Sequence, residues 1–209
     1  MSQATPMVFV VDDDASVRRS LESLIDSAGW QAETFASAQE FLSSPRVPAP
    51  SCLVLDVALP GLNGLELQKR VAVDRTDMPI IFISGYGDVP MTVQAMKAGA
   101  IEFLTKPVRA DALLSAIQHG LERSHNALQR EVEMQALRVH FASLTRRERD
   151  VMALVTSGLL NKQVGAELGI SEITVKAHRG NMMRKMNARS LPQLVNMAAT
   201  LRIELAPMY

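Results

Sequence analysis

Four short apolar runs each end on polar residues, two on aspartate, one on serine and one on threonine and lysine, and this repeated ending constrains the 209-residue chain more than its composition does. Residues 7–11 run into Asp12-Asp13-Asp14, residues 53–55 into Asp56, residues 79–83 into Ser84, and residues 101–104 into Thr105-Lys106-Pro107. Helix-patterned stretches separate the runs. Alternation of short β-branched runs with helical stretches selects an α/β fold in which parallel strands are joined by crossover helices. In an open sheet of that kind the carboxyl ends of the strands face one crevice, and ligands bind there. Residues far apart in sequence then converge: three carboxylates, a hydroxyl and an ammonium.

The periodicity predicts strands over residues 7–11, 30–35, 52–56, 79–84 and 101–105. A helix over 16–28 places Val17, Leu21, Leu24, Ile25 and Ala28 on one face, with Gly29 as its stop. Further helices are expected over 38–43, 63–73 and 88–98, and Pro45, Pro48 and Pro50 mark a loop. Five such units in the first 120 or so residues give a doubly wound, five-stranded parallel sheet. From Ala110 to about Val139 runs one long helical pattern carrying Leu114, Ile117, Leu121, Leu128 and Val132, interrupted by Ser124, His125 and Glu131. It reads either as a helix that pairs with a second chain or as a solvated spacer.

The last third is helix-patterned throughout. Thr145-Arg146-Arg147-Glu148 is a capping-box signature ahead of Val151, Leu154 and Val155, with Gly158 as the stop. Asn161 is expected to cap a short helix that ends at Gly169, and Ser171 opens a longer one to about Met186. Ser190-Leu191-Pro192-Gln193 reads as a second box, starting a final helix to about Leu201. A short helix, a glycine turn and a longer basic helix make helix-turn-helix geometry. The domains are therefore residues 1–122, a helical linker over 123–142, and residues 143–209.

Charge supports the division. Residues 1–140 hold 12 basic and 17 acidic groups, net −5, whereas residues 141–209 hold 10 basic and 5 acidic, net +5. The second part suits a polyanion. The single cysteine, Cys52, reads as a small buried hydrophobe. The N-terminus lacks a basic segment and its apolar run breaks at three aspartates, so it is not a secretion signal. No stretch approaches the roughly 18 apolar residues of a membrane span. A cytoplasmic protein with no membrane partner is expected.

Asp12, Asp13 and Asp56 together offer hard oxygen donors of the kind Mg²⁺ prefers. Metal charge would let Asp56 act as a nucleophile toward a phosphoryl group, while Lys106 and Ser84 address its oxygens. Taken singly, each acid is explained as well by a helix cap or a loop start; together and in this order they favour a site. Val10-Val11-Asp12-Asp13-Asp14, Leu55-Asp56-Val57-Ala58-Leu59-Pro60-Gly61, Ser84-Gly85 and Lys106-Pro107 resemble the receiver domain of two-component response regulators, a flavodoxin-like fold. The run from Gly87-Asp88-Val89-Pro90 to Ala98-Gly99-Ala100 is similar to the FixJ branch of the FixJ/NarL family, and in particular to StyR-type regulators.

The resemblance implies that Asp56 is the phosphoacceptor. It implies Mg²⁺ (or Mn²⁺) on Asp13, Asp56 and the Ala58 carbonyl, with Asp12 acting through water. Ser84 would contact the phosphoryl group, Phe103 would occupy an aromatic switch position without a hydroxyl, and Lys106-Pro107 would be joined by a cis peptide. Ala58 and Tyr86 would influence water access.

On a helical wheel from Val175, Met182 and Met186 share the core side. Lys176, Arg179, Gly180 and Met183 lie opposite, with Arg184 at the edge. His178 reads as a packed histidine, and the Met182-Met183 pair as packing more than recognition. Leu144-Thr145-Arg146-Arg147-Glu148, Asn161-Lys162-Gln163-Val164-Gly165 and Ile170-Ser171-Glu172-Ile173-Thr174-Val175-Lys176-Ala177-His178 resemble the LuxR-type DNA-binding domain. Gly165, where the family usually carries alanine, should cost about 1 kcal/mol of local helix stability. The resemblance implies DNA contacts from Lys162, Thr174, Lys176, Arg179, Gly180, Met183 and Arg184, with Lys162 and Arg179 on phosphates.

The combined reading is a regulator phosphorylated on Asp56 by a sensor histidine kinase. It would pair as a homodimer, bind double-stranded promoter DNA and address RNA polymerase. Two other readings compete. One is a constitutive DNA-binding protein with a non-signalling first domain. The other is an aspartyl phosphatase of the haloacid dehalogenase type, suggested by the Asp-x-Asp at residues 12–14 but lacking an acidic pair after Lys106.

Overall fold

The computed structural model describes residues 5–85 and 89–201. They divide into two compact units between Gln129 and Arg130.

The first unit is built on β1 (Met7–Val11), β2 (Gln31–Phe35), β3 (Ser51–Asp56), β4 (Ile80–Ser84) and β5 (Glu102–Thr105), interleaved with α1 (Ala15–Ser27), α2 (Ala38–Ser43), α3 (Gly64–Asp74), α4 (Val89–Lys97) and the start of α5 (Ala110–Ala142). All strand pairs are parallel, in the order β2-β1-β3-β4-β5. The central strand β3 is buried along its whole length, as expected of a strand covered on both faces. Alternation sorts the side chains. Val8, Val10, Cys52, Val54, Ile81 and Ile83 face Leu21 and Ile25 of α1 and Leu113, Ile117 and Leu121 of α5. Phe9, Val11, Leu53, Leu55 and Phe82 face Phe41, Leu67, Val71 and Ala95 from the other helices. Cys52 is fully buried, and desolvation pushes its thiol far up; it is a core residue.

Element ends moved by a residue or two. Asp14 caps α1 through the amides of Ser16 and Val17. Asn63 lies outside α3 as its cap, in a reciprocal box with Glu66. Helix α5 packs through Leu113 rather than Leu114 and continues to Ala142, across the interval read as a linker. The start of the helix expected from Asp88, together with Tyr86, lies outside the described residues, and so do residues 202–209.

The second unit holds α6 (Arg146–Thr156), α7 (Asn161–Leu168), α8 (Glu172–Lys185) and α9 (Leu191–Thr200). Leu144, Met152, Met182, Met186 and Leu194 form one cluster, against which Leu137 and Phe141 of α5 pack. Val151, Val155, Val164, Leu168 and Val175 form another. The Thr145/Glu148 box is closed. At the next helix the capping residue is not Asn161. Leu160 takes that position, its N–H bonded to Gln163 Oε1 at 2.8 Å, and Asn161 is the first helical residue. Its side chain is thereby free to accept from Arg179 at 3.0 Å. Ser190 caps α9 through the Gln193 amide, but Gln193 Oε1 reaches the Arg189 N–H, so the second box closes one residue early. Gly165 has a packing role: a Cβ there would lie 2.8 Å from the Ile170 carbonyl oxygen. The turn after α7 passes too close for any side chain without a backbone shift, and that constraint sets the residue more than helix propensity does.

Candidate functional site

The carboxyl ends of β1, β3, β4 and β5 bring the four polar endings together. Lys106 Nζ donates to Asp12 Oδ2 at 2.7 Å and to Asp56 Oδ2 at 2.6 Å, across separations of 94 and 50 residues. Asp12 is fully buried and Asp56 nearly so, while Asp13 is exposed beside them. One oxygen from each of the three carboxylates can lie within 4.8 Å of the others. Local bonds fix their directions. Asp56 Oδ1 accepts the Ala58 N–H at 2.9 Å, and Asp12 Oδ1 accepts the Asp14 N–H at 2.9 Å. The Arg18 guanidinium donates to the main-chain carbonyls of Asp12 and Asp13, holding the loop that carries both acids.

Electrostatics match the geometry. Burial raises the Asp12 carboxyl above its ordinary range, against the lowering pull of the Lys106 hydrogen bond. At Lys106 burial works downward, but the bonds and charges of Asp12 and Asp56 outweigh it and leave the ammonium firmly protonated. Ser84 is buried at the end of β4, and its carbonyl accepts the Lys106 N–H at 2.8 Å, which ties β4 to β5 beside the acids. The Lys106-Pro107 peptide is cis. Phe103 is half-buried, its ring centroid 6.1 Å from that of Phe82. Ala58 is exposed two residues past Asp56. Gly64 is forced by the same corner: a Cβ would stand 2.5 Å from the Asp56 carbonyl oxygen.

In the second unit, Val175 and Met182 of α8 are buried, and Lys176, Gly180 and Arg184 are exposed. Lys162 is exposed on α7. Thr174 is half-buried and its hydroxyl meets that of the cap Ser171 at 2.9 Å. Lys176 pairs with Glu172 at 2.9 Å. Arg179 is half-buried against Asn161, which joins α8 to α7, so it lies toward the core side of α8 and not opposite it, while Arg184 stands directly opposite Val175 and not at the edge. Met183 is partly buried against the core cluster and His178 is half-buried. Two exposed apolar positions of α8, Ile173 and Ala177, are absent from the contacts expected from the sequence.

Residues 8–118, more than half of the chain, match the family described as the response regulator receiver domain. Residues 142–198 match the family described as bacterial regulatory proteins, luxR family. The chain is a two-component response regulator. Its receiver is the α/β unit with the acidic crevice, and its DNA-binding domain is of the LuxR type. The response regulator is similar to nodulation protein W of Bradyrhizobium diazoefficiens, 51% identical over 94% of this chain and 87% of that protein. It is also similar to the transcriptional regulatory protein FixJ of the same organism, 42% identical over 91% of this chain and 93% of that one. Among solved structures, that of the response regulator StyR superposes with a TM-score of 0.84 at 50% identity, covering 94% of this chain and 99% of that one. These relationships place the regulator apart from the dehalogenase-type phosphatases. No helix among the described residues is long and apolar enough to cross a membrane.

Proposed function

We propose that this response regulator accepts a phosphoryl group on Asp56 and thereby switches a DNA-binding domain between states. The observation that carries the reading is the placement of Lys106 Nζ between Asp12 and Asp56, at 2.7 and 2.6 Å, on the carboxyl edge of the sheet. A sensor histidine kinase is the donor. A carboxylate oxygen of Asp56 attacks phosphorus, the P–N bond to the kinase imidazole breaks with its electron pair passing to nitrogen, and an acyl phosphate remains. Lys106 then turns from the Asp56 carboxylate to the new phosphoryl oxygens, and the Ser84 hydroxyl donates to another.

The donor set fits a divalent metal: three hard carboxylates meet at one point, and Mg²⁺ takes a few such oxygens together with waters and phosphate. Asp13, Asp56 and the Ala58 carbonyl are the direct ligands in this proposal, with Asp12 acting through water. When bound, Mg²⁺ (or Mn²⁺) supplies charge that offsets the carboxylates and the incoming phosphoryl oxygens. Release of the phosphoryl group to water, at a rate set partly by Ala58 and Tyr86, resets the protein; it is not a turnover enzyme.

Inward movement of Ser84 lets Phe103 repack from its present place beside Phe82, which alters the surface of α4 and β5 and favours a homodimer. Functionally the chain comprises a receiver over 1–122, a helical linker over 123–142 and a DNA-binding domain over 143–209. Helices α7 and α8 of two copies then read paired half-sites of promoter DNA in the cytoplasm, with Lys162 and Arg179 on phosphates. Lys176, Thr174, Gly180 and Arg184 face the groove, Met183 packs at its margin, and RNA polymerase is the downstream partner. The test compares wild type with Asp56→Asn by light scattering and duplex binding, before and after phosphorylation. A dimer and tighter DNA binding in wild type alone support the proposal; the same change in Asp56→Asn overturns it.

A further inference from the structure

We propose that Ile173 reads the C5-methyl group of a thymine, and so helps set which DNA sequence this regulator selects; the inference rests on the DNA-binding role of α8. Ile173 is the second residue of α8 and is 79% exposed. Isoleucine there serves neither helix nor core. It is a poorer helix former than alanine or leucine, and at that exposure it is not one of the buried or half-buried residues that make up the apolar clusters of its unit.

Its direction is specific. On a wheel of about 100° per residue, Ile173, Gly180 and Arg184 fall within roughly 20° of one line, and the buried Val175 and Met182 lie on the opposite side. Ile173 therefore stands at the centre of the face turned away from the protein, in the first turn. In a helix-turn-helix the first turn of the second helix meets the base edges.

The surroundings favour close approach. A Cβ at Gly180 would meet no heavy atom within 4 Å, so the middle of this face is bare backbone two turns along. Ala177, exposed one turn on, adds only a methyl. Lys176 at the edge of the strip is drawn to Glu172 at 2.9 Å and leaves the first turn around Ile173 apolar, with Arg184 three turns further along. The Ile173 side chain itself has no group that could pair with the hydrogen-bonding edge of guanine or cytosine. The one apolar group that base pairs present in the major groove is the thymine methyl.

The experiment uses the full-length regulator, wild type and variants alike, after incubation with acetyl phosphate and Mg²⁺. Wild type is first used to enrich a site from random-sequence duplexes. Binding to that site is then measured by fluorescence anisotropy at fixed salt, with each thymine replaced in turn by deoxyuridine, which lacks only the methyl. Ile173→Ala and Ile173→Ser are measured on the same set, together with an unrelated duplex. Burying one methyl is worth about a fourfold change in Kd. One thymine in each half-site should show that loss with wild type and none with either variant, and binding to the unrelated duplex should be the same for all three. Deoxyuridine effects that are equal in wild type and both variants, or a uniform loss of all DNA binding in the variants, would overturn the assignment to thymine. Failure of wild type to enrich any sequence would overturn the DNA-binding role itself, and the inference with it.

Discussion

Removing the ammonium of Lys185 should loosen the DNA-binding domain about twice as much, in free energy, as removing the charge it pairs with. Glu148 is 3% exposed, and its Oε2 accepts both Lys185 Nζ at 2.6 Å and the Thr145 N–H at 2.8 Å. The bond spans 37 residues and ties the start of α6 to the end of α8. In Lys185→Met the carboxylate stays buried with only the capping N–H. Breaking a buried pair from one side costs about 3–5 kcal/mol, and the 32% exposure of the Lys185 side chain reduces this to about 2 kcal/mol. In Glu148→Gln the amide oxygen keeps the capping bond and Lys185 turns into water, so the cost is about 1 kcal/mol. Hydrogen exchange of α6 and α8 peptides reads the difference: a loss of about 2 kcal/mol speeds exchange of the most protected amides roughly thirtyfold. The pair also predicts a pH dependence. Burial pushes the Glu148 carboxyl up, but the Lys185 and Thr145 bonds outweigh it and hold it below its ordinary value of 4.5. Its contribution is therefore present above that value and is lost as pH falls through the lower, folded one. In Lys185→Met the ammonium no longer opposes burial, so the variant's deficit against wild type should shrink as pH is lowered from about 6 to about 4. Equal effects of the two substitutions, adding independently in the double variant and constant with pH, would refute the reasoning.

Gly64→Ala places a methyl 2.5 Å from the Asp56 carbonyl oxygen and 3.0 Å from the Val57 Cα. It should destabilise the receiver by about 2 kcal/mol although alanine is the better helix former by about 1. Thermal unfolding followed by Trp30, the single tryptophan, reports on that unit, and an unchanged midpoint would contradict the close approach. Lys162→Ala should weaken binding to all duplexes alike and lower the slope of log K against log salt by about 1; a loss confined to one sequence would place Lys162 on a base instead.

Much of the fold was legible because its signals are local. Asp14, Asn63, Thr145 and Ser171 are helix starts that side-chain chemistry dictates within three or four residues, and Gly29 and Gly169 supply left-handed stops. The crevice was legible for another reason: parallel strands force their carboxyl ends onto one edge, so Asp12, Asp56 and Lys106 meet whatever the loop details. What escaped depends on contacts between elements. Asn161 looks like a cap until Arg179, 18 residues on, claims its oxygen. Gly165 looks like a weak point in a helix until the Ile170 carbonyl arrives against it. Arg18 carries no local sign that it will brace the carbonyls of Asp12 and Asp13. Ile173 resembles any core isoleucine by type, and only its outward direction marks it as a contact residue.

Intact mass after incubation with acetyl phosphate and Mg²⁺ tests the central claim most directly. Wild type should gain a single phosphoryl group, about 80 Da, and Asp56→Asn under the same conditions should gain none. The same adduct on Asp56→Asn would contradict the assignment of Asp56 as acceptor, and no adduct on either protein, with the metal present, would contradict a phosphoryl-accepting crevice.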